Sequence, residues 1–200
     1  MKWTTNISPL LKEYELRKNP VIVRVNKFDE ESAKKFNDSV AQAHNTGQDV
    51  IPVVIDSYGG QVYSLMSMIS SIKAAELPVA TIVEGKAMSC GAILFSFGEE
   101  GRRFMDPNAT VMIHDVSSWA HGKIEELKAD VKEADRLNGI VYKMMAQNCG
   151  KADNYFIKLM DKKKHADWYL DADEAKKHNL ANHLRVPKLS IDISVGIGFE

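Results

Sequence analysis

The chain has 200 residues, 26 of them basic and 27 acidic, for a formal net charge of −1, and 44% of its residues are hydrophobic. That length predicts one domain with a sizeable core and no need of disulfide staples, and the charge balance argues against nucleic acid or an anionic membrane surface as partner. The two cysteines, Cys90 and Cys149, form no Cys-x-x-Cys pair, which excludes a zinc ribbon or redox motif by spacing and fits reduced thiols in a cytoplasmic protein.

Met1 to Asn6 lacks the apolar run of a signal peptide. Residues 1–18 read as an irregular arm, with a helical turn or two around Leu10, Leu11 and Tyr14. Val21 to Val25 predicts a short buried strand after Asn19-Pro20. From Glu30 to His44, Ala33, Phe36, Val40 and Ala43 recur at spacings of three and four, which predicts an amphipathic helix. Asn45-Thr46-Gly47 ends it. Val50 to Ile55 predicts a second strand, with Pro52 pointing to an edge or a bulge. The turn Asp56-Ser57-Tyr58-Gly59-Gly60 leads into a helix carrying Val62, Leu65, Met66, Ile69 and Ile72. Val79 to Val83 predicts a third strand that stops at Gly85.

A turn of small residues follows, Ala87-Met88-Ser89-Cys90-Gly91-Ala92. Its small-x-Ser-x-Gly pattern has the logic of a nucleophile elbow, in which small neighbours let the backbone turn sharply and lift the serine oxygen out of the packing. A serine before a helix also suits a plain N-cap role. The apolar segment from Ala92 to Phe97 is too short to span a bilayer. Thr110 to Ile113 predicts a further strand ending on His114, an imidazole at a rigid position. Strands alternating with helices to this point predict an α/β fold with parallel crossovers.

Beyond His114, residues 115–122 are polar and loop-like, with Trp119 and His121. Lys123 to Asn148 predicts a long helix whose apolar row runs from Ile124 through Leu127, Val131, Ala134, Leu137 and Val141. Such a row packs on its own domain or against another subunit. Asp153 to Asp161 predicts a shorter helix, and Lys162-Lys163-Lys164-His165 a solvated basic run. Asp167 to Leu170 is extended, Asp171 and Glu174 suit a capping box for the next helix, and residues 189–195 suggest a last strand.

Taken together, Ser57-Tyr58-Gly59-Gly60, Gly85-Lys86-Ala87-Met88-Ser89-Cys90-Gly91-Ala92, Gly101-Arg102-Arg103-Phe104-Met105-Asp106-Pro107-Asn108, Val111-Met112-Ile113-His114 and Asp167-Trp168-Tyr169-Leu170 stand in a familiar order. They resemble the motifs of the caseinolytic protease proteolytic-subunit family (ClpP), which are self-compartmentalised serine peptidases. The resemblance covers roughly residues 20–185. It implies a ClpP/crotonase-like α/β fold of repeated β-β-α and βαβ units in a single domain, with a handle built on the long helix (residues 116–160) and a tail at 186–200. It implies Ser89 as nucleophile, His114 as general base and Asp167 as the orienting carboxylate, with the backbone amides of Gly60 and Cys90 as oxyanion donors. A ring of copies, a peptide or unfolded-protein substrate and docking of an AAA+ unfoldase follow from the same source, and no cofactor or metal is implied.

The chain departs from the family pattern at Asp56 and Tyr58, where the family usually has Asn and Pro. The loop after His114 lacks the family's Pro and glycine pair, and Ala166 stands where the family commonly has Arg. Three other readings compete with an active peptidase. A silent structural or regulatory subunit would not need all three of Ser89, His114 and Asp167. A crotonase-like acyl-CoA enzyme would not need the Ser89 turn. A serine–lysine peptidase would need Lys86, three residues before Ser89, as base; His121 and His165 are alternative histidine bases.

Overall fold

The structure, a computed structural model, describes residues 20–117 and 122–189. The expected turns near Leu10, the residues Trp119 and His121, and nearly all of the expected last strand lie outside the described residues.

Four strands lie side by side and parallel: β1 (Val23–Val25), β2 (Ile51–Ser57), β3 (Val79–Met88) and β5 (Thr110–Ile113). A short strand β4 (Arg103–Met105) pairs parallel with β3 off this path. The order β1-β2-β3-β5 is closed by β6 (Trp168–Leu170), which runs antiparallel to β5. Helix α1 (Glu30–Ala43) connects β1 to β2, α2 (Val62–Ala74) connects β2 to β3, and α3 (Cys90–Phe95) follows β3 at once. After β5 come α4 (Ile124–Asn148), α5 (Tyr155–Lys162) and, beyond β6, α6 (Ala172–Lys177). The architecture is mixed α/β with a mostly parallel sheet, as the alternation of elements predicts.

Local chemistry explains most boundaries. Asp29 caps α1: its carboxylate accepts the Ser32 amide at 2.8 Å while Ser32 Oγ accepts the Asp29 amide at 2.9 Å. The helix buries the anticipated face of Ala33, Phe36, Val40 and Ala43. Residues Ile51 to Ile55 of β2 are all buried, as suits a parallel strand covered on both faces. Pro52 is tolerated in this interior strand because β1 pairs only with Val53 to Ile55. At Pro52, β2 borders β3 alone, where it pairs with Ala80.

Three features differ from the sequence reading. First, β3 does not stop at Gly85 but continues to Met88. Its flank changes partner there, from β4 against Thr81 to Val83 to β5 against Lys86 to Met88. Second, β4 escapes the sequence pattern because it follows the charged run Glu99-Glu100-Gly101-Arg102. It is anchored by Arg103, which is only 1% exposed. Its guanidinium donates to the carbonyls of Gly98, Leu180 and Asn179 and to Glu100. Third, the apolar row of α4 is buried only from Leu137 onward, while Ile124 and Val131 are 71% and 61% exposed. Among the described residues, no helix is long and apolar enough to cross a membrane.

Candidate active site

Three strand ends meet at one point. β3 ends at Met88, just before Ser89, and β5 ends at Ile113, just before His114. β6 begins at Trp168, just after Asp167. Because β6 is antiparallel to β5 with Ile113 opposite Trp168, the next rung of that register sets His114 opposite Asp167. The carboxyl ends of strands in an open α/β sheet are where such folds bind ligands.

The Ser89 amide donates to the Met112 carbonyl at 2.9 Å, a last contact with β5 before the chain turns. The backbone of Ser89 then swings to φ 55°, ψ −121°, and α3 begins at the next residue. A non-glycine residue in such a conformation costs about 1–3 kcal/mol and persists only where its surroundings hold it. Glycine makes the room: a Cβ on Gly59 would lie 2.7 Å from the Ser89 Cβ. The Ser89 side chain makes no capping hydrogen bond to α3, so the plain N-cap role is not taken. Its Oγ instead lies 2.9 Å from His114 Nε2.

For the Ser89 hydroxyl to donate, Nε2 must be bare and the imidazole proton must sit on Nδ1. Nδ1 faces Asp167 Oδ1 across 3.6 Å, longer than a hydrogen bond. The Asp167 side chain is 53% exposed, that of His114 23%. The structure thus joins Ser89 to His114 directly and brings Asp167 alongside without closing the last link.

Gly60 and Cys90 flank the serine. Gly60 has φ +148°, and a Cβ there would collide with the Phe28 carbonyl. Its neighbour Gln61 donates to that same carbonyl at 2.8 Å, which fixes the turn. Cys90 opens α3, where an amide has no intrahelical acceptor. The Cys90 thiol donates to the Gly60 carbonyl at 3.3 Å and ties the two segments together. Burial pushes this thiol up to about 11, so it stays neutral and serves as a donor rather than a nucleophile. Ser89, His114, Gly60 and Cys90 line a cavity of about 50 Å³ whose other walls include Val62, Leu65, Ile93 and Val141.

The rival bases stand elsewhere. Lys86 Nζ bonds Asp56 at 2.8 Å and sits 4.5 Å from the Tyr58 ring centre, so it is committed to the glycine turn. His165 pairs with Asp115 and Asp161. His121 lies outside the described residues. Among the described residues no group of three or more His, Cys, Asp or Glu side chains could hold a metal ion.

What the sequence reading missed is the clamp on the loop after His114. Asn138 Oδ1 accepts the Val116 amide at 2.7 Å, and the Tyr142 hydroxyl donates to Asp115 at 2.8 Å. Both partners come from α4, more than twenty residues away, and no local signal announces them.

A family model described as Clp protease matches residues 11–187 of this chain. The chain belongs to the Clp protease family. Among curated relatives, it is 30% identical over 143 residues to a protein of Rhodopirellula baltica named ATP-dependent Clp protease proteolytic subunit 1. That match takes in 72% of this chain and 61% of the relative's length. Against the Clp protease family pattern, the departure at Tyr58 now has a physical counterpart. The Pro that usually stiffens the glycine turn is replaced by a Tyr58–Lys86–Asp56 stack, which restrains the same turn from outside.

Proposed function

We propose that this member of the Clp protease family is a serine endopeptidase that cleaves peptides and unfolded chains through an acyl-enzyme intermediate. The observation that carries the reading is the 2.9 Å contact of Ser89 Oγ with His114 Nε2, made by a serine on a strained strand-to-helix turn. A serine hydroxyl needs an adjacent base to attack at neutral pH. In the proposed reaction Ser89 Oγ bonds to the scissile carbonyl carbon as its proton passes to His114 Nε2. The tetrahedral intermediate collapses, the C–N bond breaks, and the same proton leaves on the departing amine. Water then attacks the acyl-enzyme with His114 again as base. Asp167 orients the imidazole and stabilises its charged form. The Gly60 and Cys90 amides receive the oxyanion; losing one such donor typically costs about 2.7–4 kcal/mol of transition-state stabilisation.

The same reading includes a ClpP/crotonase-like single domain, a cytoplasmic setting and a ring of copies. The exposed apolar residues of the N-terminal half of α4 support its use as a handle against another subunit. An AAA+ unfoldase as partner follows from the family resemblance, and a role as proteolytic subunit of an ATP-dependent Clp protease follows the printed name of the relative. A second reading, a silent structural subunit or a site that waits for its partner, draws on the 3.6 Å gap to the exposed Asp167.

Labelling with a fluorophosphonate probe tests the choice. Wild type labels, Ser89→Ala does not, and His114→Ala labels at least about a hundredfold more slowly. No labelling of a wild type that sediments as an intact ring would sink the active peptidase and leave the second reading.

A further inference from the structure

Asp115 follows His114 directly, yet the chemistry proposed for Ser89 has no use for it. Its carboxylate is divided between two elements. Oδ1 accepts the Tyr142 hydroxyl of α4 at 2.8 Å, and Oδ2 lies 2.7 Å from His165 Nδ1. Tyr142 is 2% exposed, and burial, then its bond to Asp115, push its phenol well above the ordinary range. It therefore remains a fixed O–H donor, and Asp115 is an anchored acceptor rather than a loose surface carboxylate. The other nitrogen of His165, Nε2, lies 3.4 Å from Asp161 of α5.

His165 stands two residues before Asp167, in a turn that needs holding. Lys164 and His165 have φ of 55° and 58°, two successive non-glycine residues on the left-handed side. The backbone bonds of this turn, from Lys164, His165 and Ala166 to Asp161, Met160 and Lys163, are all local to the end of α5. They shape the turn and do not dock it on the sheet. Beyond Asp167, β6 pairs with β5; ahead of Asp167, the His165–Asp115 pair ties the turn to the residue beside His114.

We propose that Asp115 and His165 form a positioning pair that carries the Asp167 turn to the end of β5 and so sets the His114–Asp167 separation. Its kinetic consequence rests on the peptidase reading; its structural consequence does not.

The test uses His165→Ala, Asp115→Asn and the double variant, each read in two ways. Hydrogen exchange of the segment 163–168, followed by mass spectrometry, needs no activity and accelerates in each variant. With a fluorogenic peptide, kcat falls about 10- to 100-fold in each single variant. KM stays within about twofold, and the double variant is no worse than the singles. Unchanged exchange in both single variants overturns the pair, whether or not peptide is cut. Faster exchange with unchanged kcat, or losses that add in the double variant, overturns the positioning role. Faster exchange in a series whose wild type neither cleaves peptide nor labels upholds the tether and sinks the peptidase reading instead.

Discussion

The two flanks of His114 are built to different tolerances. On the Ser89 side the geometry is set by backbone. The Met112 carbonyl, the glycine pair and the Cys90 thiol all bear directly on the turn at Ser89. On the Asp167 side the backbone pairing of β6 with β5 begins only at Trp168, side chains hold the exposed turn before it, and the decisive distance stretches to 3.6 Å. Packed backbone has few alternatives and holds a position to tenths of an ångström. A half-exposed carboxylate is screened by water and holds its partner weakly. The site should therefore fail abruptly when the first flank is touched and gradually when the second is.

Gly60→Ala is the harshest way to break this comparison. The new methyl collides with the Phe28 carbonyl and the residue keeps an unfavourable φ of +148°, so the turn must move. Loss of its amide alone costs about 10²–10³ in kcat, and peptide cleavage by folded variant protein should fall by at least that factor. Near-normal turnover would show the turn to be softer than drawn.

Asp167→Asn sharpens it. Where the carboxylate–imidazole bond is tight, that change costs about 10⁴ in kcat. Across a solvated 3.6 Å gap it should cost about 10² or less. A full 10⁴ loss would mean that Asp167 closes on His114 in solution.

The mildest probe is acid. His178 packs edge-on against Trp168, with ring centres 4.9 Å apart, and its Nδ1 lies 2.8 Å from the Tyr155 hydroxyl. Burial lowers its pKa, opposed by Glu174 and aided by Lys177, Lys151 and Lys163. The folded protein thus binds fewer protons here than the unfolded chain. Stability from this group is present above the ordinary histidine value of 6.5 and lost as pH falls below it. Melting scans from pH 7.5 to 5 should show a midpoint drop that is smaller in His178→Gln. An equal drop in both proteins would assign the acid sensitivity elsewhere.

The same division marks what could be read from the sequence. The Ser89 turn was legible because it is local: strand, small residues and helix follow one another within a dozen positions. His114 was legible as the end of a strand. Its meeting with Asp167 was not, because it depends on β6 entering antiparallel, a register set by partners more than fifty residues apart. The resemblance supplied Asp167 where periodicity could not. β4 and the buried Arg103 were hidden for a related reason: a charged run predicts solvent, whereas the nearby Gly98 carbonyl and those of the distant Asn179 and Leu180 make that spot a home for a guanidinium. The half-exposed row of α4 shows the opposite case, a periodic pattern longer than the surface that the described residues offer to cover it.

The backbone angle at Ser89 sets fitness and robustness against each other at a single residue. A glycine there would relax a strained turn that serine tolerates only at some thermodynamic cost. Variants chosen for heat resistance alone are thus drawn toward discarding the very hydroxyl that faces His114. Any effort to harden this protein should hold position 89 out of the search and look for gains in the turn that carries Asp167, where rigidity and chemistry want the same thing.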